Sequence, residues 1–235
     1  MPAAVHAVCT MRRGGVSSAP FDSLNLGDHV GDEAGHVARN RTRVERDLEL
    51  PGPVRWLRQV HGVEVAAGPA LARNPVADAA VTDRPGEVLA ILTADCLPVL
   101  LGDRRGRRIG AAHAGWRSLA GGILEATIER LETDPADLVA WFGPAIGPGA
   151  YEVGAEVRAA FVDRDPQAAA AFRATRPGHW FADLYALARR RLVASGVTAV
   201  HGGDRCTLRE SERFFSYRRD GQCGRMASLI WIESS

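Results

Sequence analysis

Residues Val88–Trp116 read VLAILTADCLPVLLGDRRGRRIGAAHAGW and contain three short apolar runs separated by polar links. The runs Val88–Leu92, Leu97–Leu101 and Ile109–Ala112 have the length and composition of strands. The Gly-containing link between the second and third runs predicts that these two strands form a hairpin. We therefore expect this stretch to form the centre of a sheet.

The flanking sequence supplies further strands and helices. Apolar residues at helical spacing predict amphipathic helices over Val37–Leu48, Leu119–Leu131 and Asp183–Ala194. The runs Val54–Val60 and Val63–Ala67 predict a tight strand–turn–strand with His61 at its tip. Further strands are expected at Val5–Met11, Leu138–Phe142, Val197–His201 and Gly224–Ile232, and further helices at Tyr151–Phe161 and Pro166–Ala174. This irregular alternation predicts a mixed α/β (α+β) single domain, residues 1–235, with a largely antiparallel sheet.

Composition restricts the classes of partner. The chain has 235 residues, 46% of them hydrophobic, which is enough for a full core. Its net charge is +1, with 29 basic and 28 acidic residues interspersed. This balance gives no electrostatic argument for binding nucleic acid or an anionic membrane. We expect a small-molecule substrate.

The absence of lysine restricts the possible catalytic chemistry, and the cysteine content indicates the cellular compartment. Every one of the 29 basic residues is Arg, so a Schiff-base lysine and a phosphate-loop lysine are excluded. The four cysteines lack the dense spacing of a secreted disulfide scaffold, and we expect reduced thiols. No stretch has the apolar length of a signal peptide or a membrane span. These features predict a cytoplasmic protein.

Three residues of metal-ligand type, His61, Cys96 and His113, each fall at a strand end or turn. Two histidines and one thiolate match an open catalytic zinc site, which has three protein ligands and a free position. Alternatively, Cys96 is a small buried hydrophobe beside histidines with ordinary polar partners. A cysteine hydrolase is a third interpretation, with Cys96 as nucleophile, either histidine as base, and Asp95 or Asp78 as the orienting group. The residues alone leave these alternatives open.

Eight segments, in register along nearly the whole chain, closely resemble those of the YfiH-like laccase-domain family. They are SLNLG (Ser23–Gly27), NR (Asn40–Arg41), QVHG (Gln59–Gly62), TADCLPVLL (Thr93–Leu101), AAHAGWR (Ala111–Arg117), GPAIGPGAYEVG (Gly143–Gly154), CT (Cys206–Thr207) and FFSYRRDG (Phe214–Gly221). One departure is Ser118, which stands where the family usually has Gly, and we expect its side chain to narrow the entrance at the helix. The resemblance implies a layered α/β fold around a mixed sheet and zinc ligands at His61, Cys96 and His113.

The resemblance also implies several activities, because family members are described as copper-using polyphenol oxidases, as purine nucleoside phosphorylases with adenosine deaminase activity, and as factors that edit a faulty muropeptide precursor. A multicopper oxidase needs many clustered histidines, whereas this chain has seven and no His-x-His pair. Copper could still occupy a single His₂Cys site. An open zinc or an activated Cys96 could hydrolyse an amide, so the peptidoglycan-editing hydrolase is the main alternative. A closed site with four ligands would instead indicate a non-enzymatic binding module.

We therefore expect a zinc-dependent phosphorylase acting on adenosine, inosine and methylthioadenosine, with adenosine deaminase activity. Zinc would activate water for attack on the purine, and Asp95 would move the proton. Phosphate needs cations, which in this chain are arginines such as Arg117, Arg41 or Arg218. Arg117, close to a predicted helix start, is the first candidate. Asn25 also fits a local turn. Trp116 and Tyr217 either stack on the base or pack against neighbouring residues, which is the more common role of such side chains. The catalytic candidates are Asp95, Cys96 and Arg117, and the candidate substrate-binding residues are Asn25, Arg41, Gln59, Asp78, Tyr217 and Arg218.

Overall fold

A six-stranded mixed sheet lies at the centre of the computed structural model, which describes residues 1–68, Leu71 and residues 74–234. From edge to edge its strands are β12 (Ala199–Gly202), β8 (Leu138–Phe142), β6 (Leu97–Asp103), β7 (Ile109–Ala114), β4 (Ala79–Thr82) and β3 (Val65–Ala67). The hairpin predicted from the sequence is its centre, where β6 pairs antiparallel with β7. Both strands are fully buried, which explains their near-continuous apolar sequences.

Two smaller sheets complete the β structure. One has the order β1 (Val5–Cys9), β13 (Met226–Ile232), β5 (Val88–Thr93) and β2 (Val54–Arg55), and the other has the order β10 (Phe172–Ala174), β11 (His179–Ala182) and β9 (Glu152–Gly154). In the described strands, the parallel pairs are β12–β8, β2–β5 and β3–β4, and the remaining pairs are antiparallel. The prediction of a mixed α/β fold with a largely antiparallel sheet is confirmed.

Six α-helices lie in the described part of the chain. They are α1 (Ala34–Asp47), α2 (Trp116–Gly121), α3 (Ile123–Leu131), α4 (Ala155–Val162), α5 (Leu184–Ala194) and the short α6 (Tyr217–Asp220), with 3₁₀ turns at Pro135–Asp137 and Pro166–Ala171. Asp183 caps α5 by accepting a hydrogen bond from the Ala186 amide. None of the helices in the described part of the chain has the length and apolar character that crossing a membrane requires.

Successive side chains of a strand point to opposite faces of its sheet, and both faces of the two larger sheets are packed, so the protein has four layers. In β6, Val99 and Leu101 point towards the helices and pack in the same core as Ile123, whereas Leu100 points to the opposite face. There Leu100 packs in a second core with residues of the four-stranded sheet, including Ile91. The other face of that sheet packs against α1 and the segment before it, in a core that includes Leu26, Val44 and Leu229. The order of layers is therefore helices, six-stranded sheet, four-stranded sheet, and α1.

The predicted strand–turn–strand at Val54–Val60 and Val63–Ala67 is wrong. β2 pairs with β5 in the four-stranded sheet, whereas β3 pairs with β4 in the six-stranded sheet. The local pattern resembled a hairpin, but distant partners determine the pairing because strand preference depends on tertiary context. His61 therefore lies in a connection between sheets, where its φ is +61°.

Several predicted helices are shorter or differently placed. The helix predicted over Leu119–Leu131 begins earlier and is interrupted at Gly122, whose φ of +107° lies in the region that glycine adopts easily. The segment predicted as helix from Tyr151 begins with β9 before α4 starts. The predicted Pro166–Ala174 helix is a 3₁₀ turn followed by β10. The strands β4 and β11 were not predicted. Short strands whose partners are distant in sequence give weak periodic signals.

We predict that Leu100→Ala destabilises the protein by about 2–5 kcal/mol, because it leaves a cavity between the two larger sheets where little rearrangement can fill it. Urea unfolding measures the change in the free energy of unfolding. Val193→Ala, at an exposed position on α5, is the control and should change stability by less than about 0.5 kcal/mol. Similar stability of the two variants would show that the sheets do not share a close-packed core.

Candidate active site

His61, Cys96 and His113 converge at one end of the central sheet. Cys96 immediately precedes β6, and His113 lies near the end of the adjacent antiparallel strand β7, opposite Pro98. The nitrogen and sulfur atoms of the three side chains that could bind a metal all lie within 4.8 Å of one another. Cys96 Sγ is 3.7 Å from His61 Nε2, and the two imidazole rings meet edge to face at 4.7 Å. We call these residues the His–Cys–His cluster.

The buried carboxylate of Asp78 accepts hydrogen bonds from the cluster and from the loop that carries His61. Its Oδ1 accepts hydrogen bonds from His113 Nδ1 at 2.8 Å and from the His61 amide at 2.9 Å. Its Oδ2 accepts from the amides of Gly62 at 2.6 Å and Val60 at 3.1 Å. Because Nδ1 of His113 donates to a carboxylate, Nε2 remains available as a ligand, as is common for metal-binding histidines.

Electrostatics favours the ionised forms of these groups. Burial raises the pKa of Asp78, but hydrogen bonds from His113 and Gly62 outweigh it and leave that pKa below its usual value. Burial also raises the pKa of Cys96, but the charge and hydrogen bonds of His113 and His61 reverse the effect and lower it. The cluster therefore favours a thiolate at Cys96, which is the form of cysteine that binds metals.

Asp95 anchors the loop that carries Cys96. It has a φ of +89°, which residues other than glycine rarely adopt. Its Oδ1 accepts a hydrogen bond from Thr207 Oγ1 at 2.5 Å, and its Oδ2 accepts one from the Arg218 amide at 2.7 Å. Both oxygens are thus engaged by protein donors. A role for Asp95 in proton transfer stays a prediction.

The cluster opens into a cleft of about 440 Å³. Its lining also contains three aromatic residues and three arginines: Trp116, Tyr151, Tyr217, Arg117, Arg218 and Arg225. The Arg117 guanidinium lies 4.3 Å from the centre of the Trp116 ring, and that of Arg218 lies 5.1 Å from the Tyr151 ring. Asp95 is the one carboxylate among the described residues that line the cleft. Such a lining suits a substrate with an aromatic part and an anionic part.

Most of the sequence-predicted site residues meet in this cleft. Those that line it are Gln59, His61, Asp95, Cys96, His113, Arg117, Tyr217 and Arg218. The side-chain amide of Gln59 is engaged by the backbone, since it donates to the Leu92 carbonyl and accepts from the Leu92 amide, both at 2.8 Å. Ser118 is fully buried in α2 and is not part of the lining, so the expected narrowing of the entrance is not observed.

Asn25, Arg41 and Asp78 do not line the cleft, although the sequence placed them at the substrate. Asn25 and Asp78 are completely buried, and all three make hydrogen bonds that support neighbouring loops. The cleft also contains residues that sequence reasoning missed: His29, Tyr151 and Arg225. Only Tyr151 lies in a segment that carried the family resemblance, and the sequence gives no local signal for the other two.

Comparison with known proteins finds similar sequences and structures over nearly the whole chain. A family model described as "Multi-copper polyphenol oxidoreductase laccase" matches residues 6–233. A protein of Xylella fastidiosa (strain Temecula1) named purine nucleoside phosphorylase is 55% identical, over 98% of this chain and 94% of the relative. Escherichia coli purine nucleoside phosphorylase YfiH is 51% identical, over 98% of this chain and 95% of the relative. The crystal structure of a Neisseria meningitidis DUF152 protein matches with a TM-score of 0.96 and 49% identity, covering 99% of this chain and 96% of that chain.

We predict that Asp78→Asn weakens the binding of added Zn²⁺, used as a probe of the His–Cys–His cluster, by about 10–100-fold, because the amide cannot accept four hydrogen bonds and no longer fixes His113 and the His61 loop. Competition with a chromophoric chelator measures the affinity. Asp83→Asn, at an exposed position just beyond β4, is the control and should bind zinc like the unaltered protein. Unchanged affinity in Asp78→Asn would disprove the positioning role.

Proposed function

The chain belongs to the multi-copper polyphenol oxidoreductase laccase family, and we propose that it is a metal-dependent purine nucleoside phosphorylase. This membership confirms the resemblance found in the sequence, and relatives at 51–55% identity carry the name of that enzyme. The observation that carries the proposal is the combination, in one cleft, of the His–Cys–His cluster with arginines and aromatic rings. The proposed substrates are adenosine, inosine and methylthioadenosine, and adenosine is also deaminated.

We propose zinc as the metal, held by His61, Cys96 and His113. The donor set fits: two imidazoles and a favoured thiolate converge, and Asp78 orients one imidazole from behind. Zinc with three protein ligands keeps a position for water or substrate and supplies Lewis-acid character there. Copper is compatible with the same donors, since its intrinsic affinity for such sites exceeds that of zinc.

The arginines would bind phosphate. Arg117 lies in the first turn of α2, and Arg218 donates through its NH1 to the Glu152 carbonyl, so its guanidinium is held at the cleft. Planar guanidinium groups bind phosphate oxygens in pairs and stay charged at all relevant pH values. Arg41 is withdrawn from this role, because its guanidinium stacks on Trp56 and donates to the Leu26 carbonyl outside the cleft. Trp116 and Tyr217 remain the candidates for stacking on the purine.

The other activities are less well supported. A multicopper oxidase needs an array of metal centres, whereas in the described residues the side chains suited to a metal form one cluster of three. Three ligands also argue against a closed structural site. The names of the relatives do not favour the peptidoglycan-editing hydrolase. We also propose a cytoplasmic location, supported by the free thiols of all four cysteines.

We predict about one zinc per chain in protein expressed with added zinc, and loss of that zinc in Cys96→Ala, because the thiolate is one of only three proposed ligands. Elemental analysis by mass spectrometry measures the ratio. Cys206→Ala is the matched control, since Cys206 accepts a hydrogen bond from the Gly147 amide and lies outside the cluster. Full zinc content in Cys96→Ala would refute the assignment of the ligands.

We predict that Arg117→Ala slows phosphorolysis of inosine by on the order of 10²-fold, as expected for loss of a charged contact to phosphate. Deamination of adenosine needs no phosphate and should be affected much less. Chromatography of hypoxanthine, adenine and inosine across a phosphate series measures both reactions.

Arg130→Ala, at an exposed position on α3, is the control for removal of a surface charge and should behave as the unaltered enzyme. Zinc content is measured in parallel. Equal loss of both activities with zinc retained would move the phosphate site from Arg117 to Arg218. Absence of phosphate-dependent base release by the unaltered enzyme would refute the proposed function.

A further inference from the structure

One wall of the cleft is built from two segments that are distant in sequence, residues 25–30 and 222–225. The side-chain Oδ1 of Asn25 accepts hydrogen bonds from the amides of both Gly27 and Arg225, each at 2.9 Å. Asn25 is completely buried. This side chain fixes the two segments to each other together with the Leu26 amide, which donates to the Arg225 carbonyl at 3.1 Å. We call the two segments together the Asn25 wall.

Further contacts hold the Asn25 wall from outside. The Gln222 side chain donates to the Val30 carbonyl at 3.0 Å, which is a further bond between the two segments. Arg41 donates to the Leu26 carbonyl through Nε at 3.0 Å and NH2 at 2.8 Å, and its guanidinium stacks 4.1 Å from the centre of the Trp56 ring. The hydrogen bonds of Asn25 and Arg41 therefore hold the Asn25 wall in place.

The Asn25 wall presents two side chains to the cleft, His29 and Arg225. His29 Nδ1 lies 3.5 Å from Asp28 Oδ1. Arg225 donates through NH1 to the carbonyls of Cys223 at 2.8 Å and Gly224 at 3.0 Å, so the guanidinium is held in place. Apart from the two histidines of the cluster, His29 is the only imidazole in the described lining.

The electrostatic surroundings of His29 favour its neutral form. Burial lowers its pKa, and the positive charge of Arg225 lowers it further, with a smaller effect of Arg41; the carboxylate of Asp28 acts in the opposite direction. A neutral imidazole still carries one N–H, which can donate a hydrogen bond to a heteroaromatic nitrogen. The adjacent Arg225 adds a permanent positive charge at the same place.

Phosphorolysis of a purine nucleoside needs such groups at the base. A bond forms between a phosphate oxygen and C1′ of the ribose, the C1′–N9 bond breaks, and its electron pair departs with the purine. The negative charge spreads over the ring to N7, and the base becomes neutral when N7 gains a proton. Donors and cations placed where this charge develops lower the barrier.

We propose that His29 and Arg225 form the leaving-group subsite of the proposed phosphorylase. His29 donates a hydrogen bond to N7, and Arg225 stabilises the developing charge. N7 takes its proton from solvent, to which the new ribose phosphate ester releases the proton that the attacking phosphate carried. Arg117 and Arg218, which flank Trp116 and Tyr151, then serve the phosphate. The inference rests on the proposed function, because it assigns one part of the same cleft to one part of the substrate.

The test compares inosine with 7-deazainosine, which has carbon in place of N7. With inosine, His29→Ala should lower kcat/KM for phosphorolysis by about 10²-fold, a typical effect of removing one hydrogen-bond donor from the place where charge develops. With 7-deazainosine, the unaltered enzyme should already be slow, and His29→Ala should cause no further loss. His29→Gln, which keeps a donor, should recover part of the activity on inosine, and the KM for phosphate should stay unchanged.

His6→Ala is the matched control. His6 is also a partly exposed histidine near a carboxylate, 3.6 Å from Glu233, but it lies on β1 and is not part of the cleft lining. It should leave all these rates unchanged. Melting temperature and zinc content establish that each variant is folded and loaded.

Three results would overturn the inference. Equal loss on inosine and 7-deazainosine in His29→Ala would mean that His29 only shapes the cleft. An unchanged rate on inosine would mean that it has no role in the reaction. In both cases the unaltered enzyme is active, so the proposed function stands, whereas an unaltered enzyme without phosphate-dependent base release refutes the proposed function and this inference together.

Discussion

The hydrogen bonds of the Asp78 carboxylate determine the geometry of the site. Asp78 lies just before β4, and its four donors come from His113 on β7 and from the backbone of the Val60–Gly62 loop. An ionised carboxylate without partners is very costly in a protein interior, so this arrangement is stable only when all the donors are present. The main chain adds a further bond, from the His113 amide to the Asp78 carbonyl at 2.7 Å. Sheet pairing thus places His113 beside the Asp78 carboxylate. The carboxylate in turn holds the loop that carries His61 through its hydrogen bonds to that loop.

The sequence was informative where contacts are local. The hairpin of β6 and β7 was predictable because its two apolar runs are joined by a short link, and the pairing places Cys96 beside His113. The position of His61 was not predictable from local pattern, because the strands before and after it belong to different sheets. The ligand set came from residue type and from family resemblance, and the convergence of the three side chains became visible only in the fold.

The positions of the candidate substrate-binding residues were also not predictable from the sequence. Asn25 and Arg41 were associated with the substrate because they lie in segments shared with the family, but their side chains support a wall instead of facing the cleft. His29 and Arg225 do face it, and the hydrogen bond that joins their segments spans 200 positions of the chain. All 29 basic residues are arginines, so composition could not identify the few that line the cleft.

The order in which the parts of the cleft occur along the chain has a consequence for its synthesis. The His–Cys–His cluster lies within residues 61–113, and its support Asp78 lies in the same interval. The Asn25 wall, in contrast, needs Arg225, which directly precedes β13, the strand that pairs with both β1 and β5. A growing polypeptide on the ribosome therefore carries the whole His–Cys–His cluster long before it can close the cleft around a substrate. Completion of the cleft therefore depends on the C-terminal segment, which is the last part of the chain to be synthesised.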